Sequence, residues 1–118
     1  MSLNRMDRMN EEMRKALSLA IREMKDPRIS AMTTLTKVEA TPDLKFAKVG
    51  VSVYDEDDAA RAETVSALNH AEGFLARELG QRMKIRRVPT LTFVLDDSIA
   101  YSVHISKVLN DLHKDGEE

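Results

Sequence analysis

The chain has 118 residues, a formal net charge of −2 and no cysteine, so disulfides, thiolate metal ligands and cysteine nucleophiles are excluded. The length fits a single domain over residues 1–118, able to bury about two-thirds of its unfolded surface without metal or disulfide support. No run approaches the ~20 apolar residues of a membrane span; Arg5, Arg8, Glu11 and Glu12 interrupt any signal-peptide pattern, and a cytoplasmic protein is expected.

Residues 3–25 predict an amphipathic helix. Met6, Met9, Met13, Leu17, Ala20, Ile21 and Met24 recur at three- and four-residue steps, the period of one helical face. Arg8, Lys15 and Arg22 recur at seven and line up on another side. Asp26-Pro27 stops the helix, because the residue before proline is pushed out of the α region.

Two strands follow, at about 30–40 and 45–54, joined by Thr41-Pro42-Asp43-Leu44. Proline then aspartate suits the central positions of a tight turn, so the pair reads as a hairpin. In the second strand Ala47, Val49, Val51 and Val53 point one way while Lys48, Gly50 and Ser52 point the other. The first strand alternates poorly, and its inner face is not assigned.

Asp55-Glu56-Asp57-Asp58 precedes an alanine-rich stretch. Carboxylates there accept the orphan amides of a helix start and complement its dipole. A helix over 58–71 should turn Ala62, Val65, Leu68 and Ala71 inward. Another, over 73–84, should bury Leu75, Leu79 and Met83, leaving Arg77 and Lys84 on the opposite side. Ala71-Glu72-Gly73 lies between the two.

Pro89 opens the last strand, where Leu91, Phe93 and Leu95 alternate with Thr90, Thr92 and Val94. A C-terminal helix should begin at Asp97 or Ser98 and carry Ile99, Ile105, Val108, Leu109 and Leu112. Helices packed on one face of a three-stranded sheet make an α+β sandwich.

Charge is segregated along this order. Residues 76–87 carry five basic side chains (Arg77, Arg82, Lys84, Arg86 and Arg87) against Glu78; residues 51–75 carry six acids and only Arg61. A chain segregated this way can present one phosphate-facing surface while staying acidic overall. An ordinary solvated helix face gives the same pattern, and charge alone does not separate the two.

The sequence resembles the ribosome-binding factor A family over about residues 5–112. The resemblance is carried by Asp26-Pro27-Arg28, by Thr34 to Val38 leading into Pro42-Asp43-Leu44, and by Ala47-Lys48-Val49. It continues through Ala71-Glu72-Gly73-Phe74-Leu75, Ile85-Arg86-Arg87-Val88-Pro89-Thr90-Leu91-Thr92-Phe93 and Asp96-Asp97-Ser98. No single segment is specific; their order and spacing are. The resemblance implies a type II KH-like fold with a helix–kink–helix at Ala-x-Gly. It also implies binding to free small (30S) ribosomal subunits and 16S rRNA, with a role in late subunit maturation and 5′-end processing. Two positions depart from the family pattern. Ala76 stands where arginine is usual, with Arg77 one residue later, and Gly50 stands where a larger, often aromatic, residue is common.

Physical chemistry makes the same region a candidate site. A helix N-terminus presents unpaired amides and a partial positive charge. Glycine permits a sharp turn and close backbone approach, and arginine grips phosphate bidentately. The candidate RNA-binding residues are therefore Ala71, Gly73, Arg77, Lys84, Arg86 and Arg87, with Glu72 arguing mildly against a tight contact. A plain helix terminator is the competing account of Ala71-Glu72-Gly73. Aromatic residues are scarce, Phe46 is expected in the core or at its edge, and no exposed aromatic platform is read. If about five phosphates are neutralised, log affinity should fall with log salt at a slope of about −4.

Catalysis is not expected. Asp55 to Asp58 sit too close together to surround a cation as ligands from separate elements would, and read as a solvated cap. His70, His104 and His113 have no Ser or Asp partner at a recognised spacing, and Gly73 and Gly80 are isolated. No cofactor, metal or small-molecule substrate is expected, and the chain reads as a monomer. The alternative function is a protein-interaction module whose basic surface meets an acidic protein partner.

Overall fold

The computed structural model describes residues 4–96. Helix α1 spans Arg5–Met24, capped by Asn4, whose side-chain oxygen accepts from the Asp7 amide at 2.8 Å. It buries Met13, Leu17 and Ala20 and ends at Lys25 in the left-handed region, φ 52°. The Asp26 carboxylate then accepts from the Arg28 amide at 2.9 Å and pairs with its guanidinium at 3.0 Å. Residues 30–32, expected in a strand, instead form a turn: the Ser30 amide donates to Thr64 Oγ1 at 3.2 Å.

Strands β1, Thr33–Ala40, and β2, Phe46–Val53, form the antiparallel hairpin. Pro42 and Asp43 occupy the central turn positions, because the Leu44 amide bonds to the Thr41 carbonyl at 2.8 Å. The poor alternation of β1 has a physical cause. Leu35 pairs with Val51 and Lys37 with Gly50, leaving Thr36 as a bulge. Leu35 and Val38, three apart, are therefore both buried.

Strand β3, Thr90–Leu95, runs parallel to β2, giving the order β1-β2-β3. A parallel pair needs a long crossover, here helices α2, Asp58–His70, and α3, Glu72–Met83. The helices cover one face of the sheet. Val49, Val51, Leu91 and Phe93 meet Met13, Leu17, Leu68, Leu75 and Leu79 in one core.

Asp57 caps α2, its carboxylate accepting from the Ala59 amide at 2.9 Å. The inward face of α2 keeps Leu68, with Val65 and Ala71 partly buried against the core, but differs from expectation in that Ala62 is exposed and Thr64 and Ala67 are buried. The stripe is rotated because Thr64 keeps its hydroxyl satisfied inside, donating to the Ala60 carbonyl at 3.1 Å and accepting from Ser30. The outer edge of β3 is closed by side chains. Asn69 accepts from the Phe93 amide at 2.8 Å and donates to its carbonyl at 2.9 Å, and Glu72 accepts from the Leu91 amide at 3.0 Å. This blocks edge-to-edge strand pairing. The expected helix from Asp97 or Ser98 lies outside the described residues.

Candidate functional site

Only Ala71 separates α2 from α3. Its φ of −89° and ψ of 11° are open to any L-residue, and its amide reaches the Ala67 and Leu68 carbonyls at 3.0 and 3.1 Å. Gly73 is therefore not the residue that makes the turn; it is the second residue of α3, and no glycine among the described residues has positive φ. What Gly73 does is leave backbone bare, since a Cβ there would meet nothing within 4 Å. No side chain caps the start of α3, so its first-turn amides are left for solvent or a ligand. Glu72 does not stand guard over them, because its carboxylate is held on the Leu91 amide.

This geometry separates stability from binding. Gly73→Ala should raise folding stability by up to ~1 kcal/mol, as alanine replaces glycine in a helix without a clash. If a ligand backbone approaches this surface closely, the same change should weaken binding. Thermal unfolding beside a binding titration measures both, and unchanged affinity would remove Gly73 from the site.

The basic residues form a strip rather than a cluster at the bend. Arg77 and Lys84 are exposed. Arg77 lies about one turn along from Gly73, and Lys84 about 16 Å from it at the far end of α3. Residues 85–89 then fold back along that helix, with Val88 against Gly80: a Cβ on Gly80 would sit 2.8 Å from a Val88 methyl. Arg86 and Arg87 are exposed on this return loop. None of Arg77, Lys84, Arg86 and Arg87 takes part in an ion pair among the described residues. Arg82 leaves the group. It pairs with Glu23 of α1 at 2.5 Å and with Glu78 at 3.4 Å, an interhelical tie that raises its own pKa. With four cations in place of five, the salt slope becomes about −3.

Arg87 lies beside the β1–β2 turn. The Thr41 hydroxyl, first, and the Lys45 amide hold the Asp43 carboxyl below its ordinary range, and the Arg87 charge adds to this. Arg87→Glu should therefore raise the Asp43 pKa, by loss of attraction and gain of repulsion. Carboxyl NMR titration of the free protein checks this; an unmoved Asp43 would mean Arg87 lies elsewhere.

The aromatic residues correct the sequence reading more sharply. Phe46 is 59% exposed, Tyr54 77% and Phe74 42%, so exposed rings exist. The signal was in β2 itself: with Ala47 facing the core, strand alternation sends Phe46 to the open face. Gly50, on the same face, has a structural reason. The Thr36 hydroxyl crosses above it to donate to Asp96 Oδ2 at 2.7 Å, and a Cβ on Gly50 would lie 2.5 Å from the Thr36 hydroxyl oxygen.

The sequence model of the ribosome-binding factor A family matches residues 5–109. A ribosome-binding factor A from Clostridium kluyveri is 44% identical over 109 residues, covering 92% of this chain and 89% of that protein. The crystal structure of ribosome-binding factor A from Thermus thermophilus superposes with a TM-score of 0.67 at 27% identity, covering 78% of this chain and 97% of the other. Coordinates of the Thermus thermophilus factor, fitted into a cryo-electron-microscopy map of its complex with the 30S subunit, match with a TM-score of 0.64 at 27% identity, covering 78% and 96%.

Proposed function

The chain belongs to the ribosome-binding factor A family and has its KH-like fold, and from that premise we propose that it binds the free small (30S) ribosomal subunit through 16S rRNA. In this reading it serves late subunit maturation, including 5′-end processing of the rRNA. It acts in the cytoplasm as a monomer, without catalysis or cofactor. The contact residues are Ala71, Gly73, Arg77, Lys84, Arg86 and Arg87.

The observation that carries the reading is the strip of four exposed cations along α3 and its return loop, free of ion pairs among the described residues. Phosphate is the partner such a strip suits, since buried contacts with it release counterions from the nucleic acid. The 30S complex of the Thermus thermophilus relative supports the small subunit as the partner.

Co-sedimentation with purified small subunits, before and after nuclease treatment, tests it. Binding that disappears with the rRNA agrees with the proposal. Binding that survives nuclease digestion points instead to an acidic protein partner.

A further inference from the structure

Phe46 is the first residue of β2, and its ring lies on the sheet face that the helices leave open. A phenyl ring left more than half exposed forgoes much of the stabilisation that burial would give it. Thr90 is its direct partner on β3, and Lys48 follows on the same face. Further along that face, Lys48, Gly50 and Val94 line a shallow depression of about 170 Å³. The ring thus stands beside small and polar neighbours, not within an apolar patch of the kind a protein partner would need.

Cations gather at the same end of the sheet. Lys45 and Lys48 flank Phe46 in sequence and are exposed. The Lys45 carbonyl accepts from the Thr90 amide at 2.9 Å, which ties the loop carrying Arg87 to this end of β2. Arg87 itself acts on Asp43 of the adjoining turn. Two carboxylates lie among them. Asp43 is hydrogen-bonded by the Thr41 hydroxyl and the Lys45 amide and faces the Arg87 charge; Glu39 is paired with Lys37 at 3.0 Å and lies opposite Lys48 across the strands. Three cations, Lys45, Lys48 and Arg87, thus outnumber the carboxylate charge left to them. An exposed ring framed by exposed cations matches one ligand chemistry, an unpaired base whose flanking phosphates are held while its face stacks.

We propose that Phe46 is a stacking platform for one unpaired RNA base, with Lys45, Lys48 and Arg87 holding the adjacent phosphates. The proposal rests on the RNA-binding reading above and extends it from backbone contact to the recognition of single-stranded RNA.

The chain contains no tryptophan, so Phe46→Trp creates a sole tryptophan at the platform, excited selectively at wavelengths where the two tyrosines do not absorb. A short unstructured oligouridylate should quench its emission saturably, while the same strand closed into a duplex should not. Phe46→Leu, checked by thermal unfolding, should bind small subunits about 5- to 150-fold more weakly with an unchanged salt slope. Equal quenching by duplex, or no quenching together with wild-type affinity in Phe46→Leu, overturns the stacking role. Wild-type protein that fails to bind subunits at all overturns the underlying RNA reading instead, so the two failures are distinct.

Discussion

Reversing Arg86 and Arg87 to glutamate together should lower the affinity for small ribosomal subunits by at least about 100-fold and leave the fold intact. Each charge-assisted contact to phosphate contributes about 1.5–3 kcal/mol, and each reversal adds repulsion to the loss. The fold should survive because both side chains are exposed on the return loop and neither pairs with a carboxylate among the described residues. Surface changes of this kind usually shift stability by no more than about 0.5 kcal/mol. Binding isotherms beside thermal melts read both quantities. Wild-type affinity in a folded double variant would take these arginines out of the site.

Phe93→Ala should produce the largest loss of stability, about 3–5 kcal/mol. Phe93 is 2% exposed and packs at the centre of β3 against the helical layer. Truncating a buried phenylalanine removes its transfer free energy and leaves a cavity that the surrounding side chains fill only in part. The loss reaches the proposed site, because Asn69, close to the bend, clamps both the amide and the carbonyl of Phe93. Urea unfolding should show a lower midpoint with an unchanged slope. A stability within about 1 kcal/mol of wild type would mean that the core is not organised around this ring.

The elements that the sequence made legible are those whose own residues decide their shape. The stripe from Met9 to Met24 fixes α1, and the tight turn at Pro42-Asp43 fixes the hairpin. The acidic run reads correctly as a cap because a carboxylate and a free amide meet within a few residues. Features that depend on distant partners were hidden. The bulge at Thr36 breaks the period-two count. The rotated face of α2 depends on Ser30, more than thirty residues from Thr64.

The site was legible in composition more than in geometry. The exposed positions of Arg77, Lys84, Arg86 and Arg87 follow from helical periodicity and loop composition. The withdrawal of Arg82 does not, because its partner Glu23 lies on another helix. Gly73 misled for a local reason: glycine suggests a turn, whereas here the bend is made by Ala71 in an ordinary conformation. Phe46 is expected in the core or at its edge, although the inward Ala47 beside it already implies the opposite face.

The salt dependence of small-subunit binding tests the electrostatic core of this account most directly. The four cations of the strip predict that log affinity falls against log salt with a slope of at least about −3, steepening towards about −4 to −5 if Lys45 and Lys48 also meet phosphate. A flat line would leave the basic strip along α3 without an anionic partner and contradict the account.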